Sequence, residues 1–225
     1  MKGMDADGVI SVLRAMCRRM EAEKDFLTEL DNVIADGDHG INMARGFAAV
    51  ERKLPELSGK DLGAVLKTVG LTLVSAVGGS AGPLYGTMFL KSGMAMAGKT
   101  EIALDDFLVC LKLSIDGVQQ RGHAVRGEKT MLDAMIPAWE AMTAARTSCL
   151  TSEAVLDAGI AAAHNGVEYT KTIVATKGRA SYIGERSLGH QDPGATSFAF
   201  LLETVAASRA VLRGDDMGSE RSRVV

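Results

Sequence analysis

The chain has 225 residues, 47% of them hydrophobic but only 4% aromatic, and a formal net charge of −3. That length suits one compact domain with a core of Ala, Leu, Val and Met, and the small negative charge gives no overall pull towards nucleic acid or an anionic membrane. No stretch approaches the roughly eighteen apolar residues of a membrane span, and the N-terminus lacks the apolar run of a signal peptide, so a cytoplasmic protein is expected. Cys17, Cys110 and Cys149 are odd in number and widely spaced, which fits free thiols on helices rather than a disulfide framework or a metal motif.

Helical spacing recurs along almost the whole chain. Val9, Leu13, Met16 and Met20 mark a first helix, and Leu27, Leu30 and Ile34 a second that runs into an acidic loop. Ile41, Ala44, Phe47, Val50 and Leu54 make a third, ended by Pro55. Asp61 is placed to cap a fourth, with Leu62, Leu66, Val69 and Leu73 on one face. Pro83 suits the first turn of a fifth, and residues 104–121, 128–147, 151–176 and 194–212 supply four more. The β-rich pieces "LTLVSAV" and "TIVAT" also fit buried helix, so an all-α bundle is expected.

The connections are of two kinds. Those near 22–25, 55–60, 98–103 and 148–151 are short and chemically ordinary. Those at 35–40, 77–83, 122–129 and 177–193 are rich in Gly, Ser, Asp, His and Arg. Alternate loops of an up-and-down bundle lie at the same end, so these four should meet at one pole.

The first, "DNVIADGDHGINM", places Asp31, Asp36 and Asp38 at a helix end, where like charges raise one another's pKa and oppose the helix dipole. An exposed acidic turn is one reading and a cation site the other. An EF-hand fails, because Ile41 stands where Gly is needed and Phe47 where Glu is needed. Magnesium suits the trio better, since it takes a few carboxylates and fills its shell with water and phosphate oxygens. The second, "VGGSAGPLYG", puts Gly78, Gly79, Ser80, Ala81 and Gly82 before a helix, a combination that admits phosphate. Tight helix packing explains the glycines equally, and a serine-hydrolase elbow lacks the strand it requires. The third, "RGHAVRGEKTMLDAM", approaches a Walker A sequence but carries Glu128 in the lysine position; Lys129 is left to serve phosphate and Thr130 to cap the next helix. The fourth, "TKGRASYIGERSLGHQDPGATS", is long enough to be functional and carries Lys177, Arg179 and Arg186. Tyr182, Ile183 and Leu188 are expected to be buried in it. Asp192-Pro193-Gly194 should turn into a last helix whose N-terminus faces an anion.

Taken in order, "DGDHGINMARGF", "GGSAGPLYGT", "GEKTMLDA" and the whole fourth loop resemble the nucleotide-binding L subunit of dihydroxyacetone kinase. The resemblance implies an eight-helix antiparallel barrel over 1–212, followed by a polar tail at 213–225. It also implies ADP or ATP capping one end on two Mg²⁺ ions. By position, Asp31, Asp36 and Asp38 resemble the magnesium ligands, and His39, Gly40, Ile41 and Asn42 would wrap the phosphates. Ser80, Ala81, Gly122, Met131, Arg179, Asp192, Pro193 and Gly194 would line the nucleotide. Arg179 is the cation expected to stabilise the transferring phosphoryl group. Ser80-Ala81 stands where much of the family carries the reverse order. The family also implies partners: a K subunit that holds the sugar and, for a free-standing L subunit, a phosphotransferase M subunit that uses phosphoenolpyruvate. An ATP-dependent ketose kinase and a nucleotide-sensing adaptor without turnover are the alternatives, and a homodimer is compatible with all three.

Overall fold

The computed structural model describes residues 3–219, with side chains to 208. The expected tail at 213–225 therefore lies outside the described side chains. The helices are α1 (Ala6–Ala22), α2 (Lys24–Ile34), α3 (His39–Lys53), α4 (Leu62–Ala76) and α5 (Ala81–Ala95), then α6 (Leu104–Gly122), α7 (Leu132–Thr147), α8 (Ser152–Lys171) and α9 (Pro193–Ser219). Each packs against the next, and α9 returns to α1 and α2 to close a ring. Among the described residues the nine α-helices make eight staves. Glu23 is a one-residue joint where helical hydrogen bonding carries on, with Glu23 N–H donating to Arg19 O at 3.0 Å and Leu27 N–H to Glu23 O at 2.9 Å. The connection near 22–25 is thus no reversal.

Caps set several starts. Asp5 accepts from Gly8 N–H at 2.9 Å, Asp61 from Ala64 N–H at 3.1 Å and Thr151 from Ala154 N–H at 3.2 Å. Each satisfies a donor that the first helical turn leaves unpaired. The ring closes along a polar seam, where Glu203 of α9 takes Arg19 Nη2 at 3.1 Å and His164 Nε2 at 2.6 Å while Arg19 lies over the Phe200 ring.

"LTLVSAV" is helical as expected, but "TIVAT" is neither strand nor helix, because α8 stops at Lys171. Likewise α7 begins at Leu132, leaving 128–131 in the loop before it. A two-residue antiparallel bridge, β1 (Met4–Asp5) with β2 (Glu101–Ile102), marks the pole away from the four unusual loops. A cavity of about 1030 Å³ opens inside the barrel from that side, lined by residues such as Val12, Leu66, Phe89, Leu111 and Leu202. It holds none of the expected site residues.

Among the described residues no helix is long and apolar enough to cross a membrane. Cys17 and Cys110 are buried and Cys149 is exposed, all free, and burial pushes the Cys17 thiol up to about 12.

Candidate nucleotide and metal site

The four unusual loops meet at one pole. Asp31 sits in the last turn of α2 and is 6% exposed. Its Oδ2 accepts from Asp38 N–H at 2.9 Å and His39 N–H at 3.1 Å, so the carboxylate folds the chain back into α3. Burial raises its pKa, opposed by those two N–H bonds, with Asp36 and Asp38 adding to the rise. One carboxylate oxygen from each of Asp31, Asp36 and Asp38 lies within 4.8 Å of the others. At an effective dielectric constant of about 20, each pair of such charges repels by about 3 kcal/mol. Part of the compensation is internal, because the Arg179 guanidinium pairs with Asp36 Oδ2. A converging set of hard oxygen donors in this number suits a Mg²⁺ ion that completes its shell with water and phosphate.

The glycine loop backs onto the trio. A Cβ at Gly79 would stand 3.9 Å from both Asp38 carboxylate oxygens, and the residue adopts a left-handed φ of 62°. At Gly78 a Cβ would come 2.8 Å from Asn42 Oδ1 and 2.9 Å from Arg45 Nη2. Asn42 Oδ1 accepts from Arg45 Nη2 at 2.7 Å, and Arg45 Nε reaches Ala76 O at 3.0 Å, which fixes the end of α4 beneath the loop. Ser80 is exposed, and no side chain caps the start of α5. The N–H groups of Ala81 and Gly82 in that first turn are therefore placed for an anion.

His39 is held on the last helix, with Nε2 2.9 Å from Ser197 Oγ. Ser197 in turn meets the buried Tyr85 hydroxyl at 2.7 Å. Burial lowers the His39 pKa to about 4, against the opposing charge of Asp38. Gly40 is a packing residue, since a Cβ there would lie 2.0 Å from Lys24 O and 2.5 Å from Thr28 Oγ1. Gly40→Ala is accordingly expected to cost about 3 kcal/mol, read as a fall in melting temperature of about 5–10 °C whether or not nucleotide is present. Ile41, counted on the apolar face of its helix, is instead 49% exposed beside the loop.

At the other side of the pole, Gly122 is exposed at the end of α6 and faces Leu84 of α5. Met131 is buried against Gly194. Asp192 caps α9 itself, with Oδ2 accepting from Ala195 N–H at 2.7 Å, so this helix end is already occupied by the chain's own carboxyl. Pro193 opens the helix behind it. Burial pushes the Asp192 carboxyl up to about 7, opposed by the Ala195 bond and reinforced by Asp133.

Two expectations fail and a third holds only in part. Tyr182 and Leu188 stand 87% and 50% exposed, and of the three apolar residues only Ile183 packs, against the small cluster of Ile34, Ala175 and Ala180. The apolar cluster available to that loop is simply too small to cover them. Lys129 turns inward, away from any phosphate position, and its partners are backbone carbonyls. Thr130 stands one residue before the N-cap of α7, yet its Oγ1 accepts from Leu132 N–H at 3.3 Å, so it caps in part; Asp133 orders the turn by accepting from Gly127 N–H at 2.5 Å and Thr130 N–H at 2.8 Å. Sequence reading missed Asp133, Tyr85 and Ser197. An acid three residues after Thr130, at the start of a helix, was the available signal for the first.

Residues 33–207 match the family described as DAK2 domain. The chain is 44% identical, over 82% of its length and 88% of the relative's, to the ADP-binding subunit DhaL of the PEP-dependent dihydroxyacetone kinase of Escherichia coli. It is 39% identical, over 88% and 95%, to the ADP-binding subunit DhaL of the PTS-dependent dihydroxyacetone kinase of Lactococcus lactis. The crystal structure of the dihydroxyacetone kinase from C. freundii in complex with AMP-PNP and Mg²⁺ superposes with a TM-score of 0.68 at 22% identity, covering 92% of this chain and 35% of that one. The last likeness is one of fold, and it assigns this helical barrel to about a third of the larger kinase. By the match along most of its length, the chain belongs to the DAK2-domain family.

Proposed function

We propose that the chain is the nucleotide-carrying subunit of a dihydroxyacetone kinase, acting in the cytoplasm. The observation that carries this reading is the meeting, at one pole, of three carboxylate oxygens within 4.8 Å, the glycine backbone of 78–82 and the Arg179 guanidinium. Asp31, Asp36 and Asp38 would hold Mg²⁺, taken here as two ions, which when bound neutralises phosphate charge and polarises the group in transfer.

The chain's own atoms do the rest. Gly78 and Gly79 let backbone approach the phosphates without a Cβ in the way, and the uncapped N–H groups of Ala81 and Gly82 face the anion. Asn42 and His39 are fixed by Arg45 and Ser197 and hold the wall of the site. Gly122, Met131 and Gly194, the last two packed together, would line the nucleoside. Arg179, which pairs with Asp36, would be the cation that meets the phosphoryl group in transfer.

The named relatives depend on phosphoenolpyruvate or a phosphotransferase system. We extend that to this chain. ADP stays bound and is rephosphorylated in place by an M subunit, and the phosphoryl group passes to dihydroxyacetone on a K subunit. The chain loaded with ATP and mixed with a K subunit and dihydroxyacetone should then yield about one equivalent of sugar phosphate. Continued turnover should need the phosphoenolpyruvate relay. Absence of the single equivalent overturns the kinase reading, and sustained turnover on free ATP alone overturns the relay.

A further inference from the structure

The loop between α8 and α9 is held at its neck by polar atoms. Lys129 is 1% exposed and takes a left-handed φ of 60°, which L side chains rarely adopt. Its Nζ donates to Thr170 O at 2.5 Å, to Ile173 O at 3.3 Å and to His190 O. Three donors thus meet three acceptors, and the ammonium is saturated by backbone alone. Two of those carbonyls lie where the chain leaves α8 and the third where it arrives at α9. Two further bonds cross the same neck: Gly189 N–H to Lys171 O at 2.8 Å and Asp192 N–H to Thr170 Oγ1 at 2.9 Å. Beyond the neck, the loop carries Arg179 out to Asp36 while Tyr182 and Leu188 remain largely in solvent. Its apolar anchorage is confined to Ala175, Ala180 and Ile183, packed on Ile34.

Three carbonyl oxygens converging on one buried point repel one another and lack donors of their own. They are tolerable only around a cation or a set of N–H groups. Burial lowers the Lys129 pKa, and the Asp192 and Asp133 charges oppose that fall and favour the protonated amine. We propose that the Lys129 ammonium is a tethered monovalent cation in a carbonyl cage, which closes the neck of the 172–192 loop and thereby positions Arg179 and Asp192 at the nucleotide pole. Lys129 touches no substrate in this account; it is a positioning residue. Its effect on nucleotide rests on the function proposed above, whereas the clamp itself does not.

A free cation of similar size and coordination should replace it. Ammonium and potassium both accept shells of backbone carbonyls. The test compares wild type, Lys129→Ala and Lys129→Met in tetramethylammonium chloride and in ammonium chloride at equal ionic strength. Two readouts are taken: the rate of tryptic cleavage at Lys177, Arg179 and Arg186, and the affinity for Mg–ADP. In tetramethylammonium, Lys129→Ala should be cleaved about tenfold faster and bind about tenfold more weakly than wild type. Ammonium should return both values to within about threefold of wild type. Lys129→Met, whose apolar chain fills the cage, should stay open in both salts.

The proposal is overturned if Lys129→Met is as protected as wild type, or if Lys129→Ala is equally open in the two salts. Should Lys129→Ala not accumulate in folded form, its refolding yield decides: a gain in ammonium supports the cage, and equal yields reject it. If wild type fails to bind Mg–ADP, the function proposed above fails, while the cleavage arm still judges the clamp.

Discussion

Asp36→Asn is expected to abolish the rise in melting temperature that Mg²⁺ and ADP give the wild-type chain, and to leave the ligand-free protein almost unchanged. A ligand at about a hundred times its Kd stabilises by about 2.7 kcal/mol. For a domain of this size that is a rise of about 5–10 °C. Asp36 is partly exposed and its ion pair is with Arg179, itself 52% exposed, so losing that pair costs no more than about 1 kcal/mol. Asp31→Ala should behave differently. Its carboxylate is buried and holds two backbone N–H groups that start α3, so the ligand-free protein should also lose about 3 kcal/mol. Differential scanning calorimetry of nucleotide-stripped protein reads both effects. A retained ligand shift in Asp36→Asn, or an unchanged ligand-free melting point in Asp31→Ala, would contradict these assignments.

Arg179→Met should lower the rate of phosphoryl transfer by about a hundred- to a thousandfold. Affinity for Mg–ADP should move by less than about tenfold. The asymmetry follows from the guanidinium's place. It pairs with Asp36, so in the proposed site its removal would take away a competitor of Mg²⁺ as well as a phosphate contact. In the proposed site it would meet charge on the moving phosphoryl group. Arg179→Lys should recover only part of the rate, because a point charge lacks the planar fork. Single-turnover kinetics with a K subunit, alongside ADP titration, separates rate from binding. An unchanged rate in Arg179→Met, or a loss confined to affinity, would remove Arg179 from the transfer step.

Much of this pole was legible before any fold was known. Alternation of loop ends placed four chemically unusual connections together, and the helices between them declared themselves by spacing. What escaped the sequence reading has identifiable physical reasons. The joint at Glu23 looks like a turn in composition, yet the hydrogen bonds on both sides of it are helical, and one residue's dihedral angles decide between the two. A lysine after glycine and glutamate suggests a phosphate contact at Lys129; only the fold shows three carbonyls waiting behind it. Burial of Tyr182 and Leu188 is expected from hydrophobicity alone, which cannot tell a buried side chain from one standing on an exposed loop. Repulsion within the aspartate trio was rightly seen as needing compensation. The share supplied from within, by two N–H groups and Arg179, depends on contacts between segments far apart in sequence.

The most direct measurement is a calorimetric titration of nucleotide-free wild-type chain with ADP, once with Mg²⁺ and once with EDTA. If the three aspartates hold divalent ions against the phosphates, affinity should fall at least about a hundredfold on chelation. Equal affinity in the two buffers would mean that the carboxylates do not carry the nucleotide, and the site would have to be sought elsewhere in the barrel.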